Sequence, residues 1–140
     1  MTAAPTCSAS PMMPTRQSLA SPPCSPLVAA LFVQPDGCYA GLPFVDAWPE
    51  SRDARRYDGK LPVVAHPPCS RWSRLARFCE VRHGLKVGAD GGCFEAALRS
   101  VRTYGGVIEH PAFSKAWQHF GLPRPDTKHH GWTAGTCGGY

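Results

Sequence analysis

Two short apolar runs, residues 61–65 and the pair Val107 and Ile108, bracket one amphipathic helix signature. This arrangement constrains the fold more than any other feature of the chain. Phe94, Ala97, Leu98 and Val101 recur at i, i+3, i+4 and i+7, which puts them on one helix face. Asp90 precedes them as a candidate N-cap, with Gly91 and Gly92 between. Gly105 and Gly106 end the helix. Strand, loop, helix, strand is a βαβ unit, so the two strands are expected to run parallel with a right-handed crossover. Their carboxyl ends then share one edge of the sheet, where open α/β folds carry their reactive groups. Residues 27–33 supply another apolar run, and residues 42–48 a weaker one interrupted by Pro43 and closed by Pro49. The predicted fold is therefore α/β and Rossmann-like, a mostly parallel sheet with flanking helices.

The remaining segments follow from local composition. Residues 1–26 are rich in Pro, Ser, Ala and Thr, with Arg16 the one charged side chain. They read as a low-complexity, disordered tail. Residues 27–122 are the expected core, one domain at most in a chain of 140 residues. Residues 123–140 carry no periodicity and read as an irregular tail. Pro35, Asp36 and Gly37 mark a turn. Residues 50–57 suit a helical turn or two, residues 73–82 a short helix, and Phe113, Trp117 and Phe120 one amphipathic turn against the core.

Charge and cysteine usage narrow the function classes. The net charge is +5, and eleven of the 15 basic residues lie between Arg52 and Arg102. A basic centre suits a polyanionic partner such as nucleic acid, or else forms a solvated surface. The seven cysteines are irregularly spaced, with no C-x-x-C pair, which removes support for a zinc ribbon or a thioredoxin-like site. Mostly free thiols in a reducing, cytoplasmic setting are expected, with no metal site. No apolar stretch approaches the length of a membrane span.

The chemistry-bearing residues stand at the two predicted strand ends. Pro67 and Pro68 stiffen the approach to Cys69, since each fixes its own φ. Trp72 and Ser73 follow at a fixed distance, and Glu109, His110 and Pro111 follow the second run. Cys69 is a candidate nucleophile or a small buried apolar residue. Glu109 is a candidate proton partner or the mate of an arginine. Trp72 suits packing, and Cys79 and Cys93 suit inert core positions.

The segment from Pro67 to Ser73 resembles the catalytic loop of DNA cytosine-5 methyltransferases: Pro-Cys, two variable residues, an aromatic, then Ser. Glu109 and His110 resemble that family's Glu-Asn pair after the following strand, with His110 in place of Asn. The resemblance covers residues 63–111. It implies a Rossmann-like fold that is incomplete relative to the full methyltransferase, and an origin in short prophage-type relatives. It implies that the Cys69 thiolate adds to C6 of a flipped cytosine while Glu109 hydrogen-bonds N3. It implies S-adenosylmethionine as donor, with Phe32, Glu50 and Pro67 as cofactor contacts. It implies DNA as partner, met by Pro68, Ser70, Arg71, Trp72, Ser73, Arg74 and His110. Arg71 and Arg74 would either favour the thiolate or bind phosphate.

The chain departs from the family in two places. Gln34 to Cys38 replaces a glycine-rich turn after Leu31 and Phe32, and no target-recognition segment follows Glu109. Two other readings therefore stand beside methyl transfer. One is a non-catalytic basic nucleic-acid-binding remnant, or a half-enzyme completed by a second protein chain. The other is a different pyrimidine-modifying thiol enzyme of thymidylate synthase type, against which Ser70 stands where His is expected after the Cys. A zinc deaminase is set aside because Trp72 occupies the second Cys position of its motif.

Overall fold

A computed structural model describes residues 25–125 of the chain. The tails expected at 1–26 and 123–140 lie almost wholly outside these residues. Four strands form one sheet: β1 (Val28–Val33), β2 (Val45–Pro49), β3 (Val63–Ala65) and β4 (Gly106–Ile108). Their order is β2-β1-β3-β4 and every neighbouring pair is parallel. The α/β class expected from the sequence is the observed one. The chain leaves β1 for β2 on one side and then crosses to β3 on the other, so the order reverses at β1. In open parallel sheets such a reversal opens a crevice at the carboxyl ends of the strands.

β1 is one of the sheet's two inner strands, and its composition says why. Ala29, Ala30 and Leu31 are fully buried, as a strand covered on both faces demands. The ladder breaks between Leu31 and Val33, where Phe32 has φ 59. A bulky side chain in the left-handed region is strained, and the bulge re-aims the chain as it leaves the sheet. Val45 starts β2 later than the apolar run suggests, because Pro43 cannot donate to a ladder.

Three helices flank the sheet: α1 (Ala76–His83), α2 (Cys93–Tyr104) and α3 (Lys115–His119). Two short 3-10 turns, Glu50–Arg52 and Ala54–Arg56, occupy the segment expected to be helical. α2 packs on β3, β4 and the second 3-10 turn, burying Phe94, Ala97 and Leu98 as the periodicity requires, with Ala96 and Ser100 beside them. The main core joins Ala29, Leu31, Ala54, Tyr57, Val63, Ala65 and Ala97. Alanine dominates it, so the layers approach closely. The Tyr57 hydroxyl donates to the Leu61 carbonyl and accepts from its N–H, both at 3.2 Å, so burying the phenol leaves nothing unpaired.

Two expectations are corrected. The helix expected over 73–82 begins only at Ala76, because the chain first turns back on itself with Trp72 N–H on the Cys69 carbonyl. Of its apolar residues only Ala76 is buried, while Leu75, Phe78 and Val81 face solvent. Phe113 does not join Trp117 and Phe120 in packing. It is half exposed, whereas those two rest on a second cluster of Trp72, Phe94 and Ala116.

Gly106 is the tightest point of the β3–β4 pairing. Its φ is 125, and a Cβ there would overlap the Val63 backbone. Gly106→Ala is expected to cost about 2–4 kcal/mol from strain and forced separation of the strands. Gly41→Ala, also at positive φ but facing open space, should cost only about 1 kcal/mol. Urea unfolding followed by tryptophan fluorescence measures both. Equal small losses would contradict the close approach.

Candidate active site

The parallel register carries three strand ends to one line. Leu31 pairs with Ala65 and Ala65 with Ile108. The ladder then runs one step further: His66 N–H donates to the Leu31 carbonyl at 3.0 Å, and Glu109 N–H to the Ala65 carbonyl at 2.9 Å. His66 and Glu109 thus leave adjacent strands side by side. Their side chains meet at 3.4 Å between His66 Nδ1 and Glu109 Oε2. On its other nitrogen, His66 Nε2 lies 2.8 Å from the Tyr39 hydroxyl.

One proton arrangement satisfies all three groups. Burial first, and then the charges of Cys38 and Glu109, raise the Tyr39 pKa, so the phenol keeps its proton and donates to Nε2. In the tautomer that accepts this bond, the imidazole has its N–H on Nδ1, facing Glu109 Oε2. Tyr39, His66 and Glu109 form a hydrogen-bonded chain across the reversal point of the sheet. The Glu109 side chain remains two-thirds exposed, so most of its lone pairs are open to a ligand.

The loop 66–75 hangs beside this chain and is held by buried groups. Pro67 is buried, while Pro68, Cys69 and Ser70 are exposed. Trp72 is 3 % exposed, and its Nε1–H donates to Asp90 Oδ2 at 2.8 Å. The same carboxylate accepts from Gly92 N–H and Phe94 N–H, both at 2.9 Å, which caps the start of α2. Two further backbone bonds fasten the loop, Gly88 N–H to the Arg71 carbonyl and Lys115 N–H to the Trp72 carbonyl, each 2.9 Å. Ser73 Oγ donates to the Ser70 carbonyl at 3.3 Å. A rigid loop thus presents an exposed thiol.

His110 turns the other way from Glu109. It is buried against Phe94 and Trp117, with ring centroids 4.9 and 5.9 Å away. Among the described residues, neither ring nitrogen has a hydrogen-bond partner. The Pro67 carbonyl is near enough to favour the protonated ring, yet falls short of hydrogen-bond geometry. Burial dominates and holds the His110 pKa below the ordinary histidine value, against the pull of Glu109, Pro67 and Asp90.

The residues singled out from sequence divide accordingly. Cys69 and Glu109 both reach solvent, on segments that leave neighbouring strand ends, and no hydrogen bond joins them. Glu109 takes a histidine and not an arginine as its partner. Trp72 and His110 are inside and support the loop. Arg71 is half-buried, and Arg74 is exposed, lying over the Phe113 ring. Phe32 packs on the core, and Glu50 stands exposed just past the end of β2. Cys79 and Cys93 are half-buried, and burial pushes the Cys93 thiol up. Tyr39 and His66 were not foreseen. His66 had a usable signal, since it directly follows the apolar run of β3. Tyr39 sits in an aperiodic loop that offers none.

A methyl donor fits this edge poorly. The turn after β1 carries Pro35 and Asp36, and Gly37 serves its own tight turn, with N–H on the Gln34 carbonyl at 3.1 Å. Tyr39 then bridges to His66 across the strand ends. No cradle of bare backbone is left for the methionine end of S-adenosylmethionine, although Glu50 is open to a diol. Among the described residues, no group of three or more His, Cys, Asp or Glu is placed to hold a metal, and no helix is long and apolar enough to cross a membrane. Comparison with known proteins finds no matching family model, no matching curated protein and no matching solved structure.

A group with a depressed folded pKa binds fewer protons folded than unfolded. His110 therefore contributes stability above its unfolded value near 6.5, and that contribution is lost as the pH falls below it. The urea midpoint should drop between about pH 7 and pH 5 more steeply in the wild type than in His110→Leu. Parallel pH profiles for the two proteins would show that His110 is not held neutral by burial.

Proposed function

We propose that this domain acts on cytosine in DNA, with Cys69 as the nucleophile and Glu109 as the acid at N3, in the manner of the DNA cytosine-5 methyltransferases it resembles. One observation carries the reading. An exposed thiol and an exposed carboxylate sit on segments that leave adjacent parallel strands at the same edge, beside the reversal point of the sheet. His66, itself held by Tyr39, lies within hydrogen-bond reach of the Glu109 carboxylate and orients it. Free thiols at Cys38, Cys69, Cys79 and Cys93 fit the reducing, cytoplasmic setting that such chemistry needs.

The chemistry runs through ordinary steps. The Cys69 thiolate adds to C6 of an unstacked cytosine, and the C5=C6 π electrons shift through C4 to N3. Glu109, having taken up a proton from solvent, gives it to N3, so the adduct is a neutral enamine. C5 is now nucleophilic and takes a proton from solvent. Loss of the original C5 hydrogen, departure of the thiolate and return of the N3 proton to Glu109 regenerate the base. The net result is exchange of the C5 hydrogen with water. Methyl transfer replaces that solvent proton with a methyl group, and it needs donor contacts beyond those the described residues supply. A complementing protein chain is the simplest source.

Deuterium exchange at C5 in heavy water tests the proposal without a donor. Single-stranded DNA containing cytosine should gain deuterium at C5 in the presence of the protein, as read by mass spectrometry of the released nucleosides. Cys69→Ala should abolish the gain, and Glu109→Gln should slow it about 100-fold. DNA binding with no exchange would favour the non-catalytic remnant. Exchange on free deoxycytidine monophosphate as fast as on DNA would favour a nucleotide enzyme.

A further inference from the structure

Beside the loop lies an open groove of about 390 Å³ lined by Arg74, Phe113, Lys115 and Arg124. Three of its four lining residues are cations and none is an acid. Among the described residues, none of the three cations is paired with a carboxylate. The fourth wall is an aromatic ring, half exposed, with the Arg74 guanidinium 5.5 Å from its centroid. Phe113 stays outside the apolar cluster on which Trp117 and Phe120 pack, so its ring faces the groove and not the core. Charge and a stacking face together are the two elements of a single-strand nucleic-acid groove.

The groove is built from the same two segments as the candidate active site. Arg74 belongs to the loop that presents Cys69, and Phe113 follows Glu109 in the segment after β4. Lys115 is tied to that loop by its N–H on the Trp72 carbonyl. We infer that this groove holds the phosphate backbone of a single nucleic-acid strand, with Phe113 stacking on a base that flanks the reacting pyrimidine. The inference rests on the cytosine reading for which base lies next door. It assigns Arg74 to phosphate, not to lowering the pKa of the thiol. It adds Phe113, Lys115 and Arg124 to the binding surface.

Fluorescence anisotropy of the full chain with two dye-labelled single strands of equal length, one of deoxycytidine and one abasic, tests this. Each phosphate contact contributes a slope of about −0.7 in log affinity against log salt for single strands. Arg74→Gln combined with Lys115→Gln should flatten the slope by about 1.4 on both strands. Phe113→Ala should weaken the deoxycytidine strand about tenfold and leave the abasic strand unchanged. Arg74 and Phe113 are exposed and Lys115 is half-exposed, so thermal melts should match the wild type. An unchanged slope in the double variant, or an equal effect of Phe113→Ala on both strands, overturns the inference. Deuterium exchange reads the other claim separately. Exchange with an unchanged slope removes the groove and leaves the thiol chemistry standing. A flattened slope with no exchange in the wild type does the reverse.

Discussion

The parallel pairing of β3 between β1 and β4 is the constraint on which the rest depends. β3 is three residues long, so its register has no slack. A slip of one position would turn Val63 and Ala65 out of the core and reverse the side chains that follow. In the observed register Leu31, Ala65 and Ile108 stand in line, and the next residues out are His66 and Glu109. The neighbourhood of these two groups is thus a consequence of strand pairing and not of any local motif.

A second constraint converts that alignment into a usable loop. The Asp90 carboxylate accepts three N–H groups, one from Gly92 at the N-cap of α2, one from Phe94 in its first turn and one from the Trp72 indole. The helix cap and the loop anchor are one group. Trp72 carries a large apolar burial, wedged against Phe94 and Phe120, and its indole N–H would be costly to bury without Asp90. Around that anchor the loop is ordered before any ligand arrives. Ordering in advance is what a nucleophile needs, because the entropy of holding it is then not lost at binding.

Much of the sheet was legible in the chain. β1, β3 and β4 appear as apolar runs, and α2 as a clean helical period ended by Gly105, because these signals are local. Asp90 was legible as a helix-start residue for the same reason, although the N-cap position itself is Gly92, two residues on. Its bond to Trp72 was not, since nothing local to either residue points to the other. The site was legible in part. Cys69 and Glu109 were legible because each follows an apolar run. His66 follows one too, directly ahead of the two prolines and the cysteine. Tyr39 reaches His66 only through tertiary folding. α1 defied its composition, because Phe78 and Val81 look like core residues and face solvent, as does Leu75 just before the helix.

The central claim is that one of the two exposed thiols among the described residues is placed to attack a pyrimidine. Cys38 and Cys69 are both exposed, which supplies an internal control. The direct measurement is peptide mapping by mass spectrometry after incubation with single-stranded DNA bearing one 2-pyrimidinone. That base lacks the 4-amino group and so accepts a thiolate at C6 more readily. The account predicts a single adduct at Cys69, absent in Cys69→Ser and formed at least about tenfold more slowly in Glu109→Gln. Label shared evenly between Cys38 and Cys69, label that survives Cys69→Ser, or no adduct at all would contradict it.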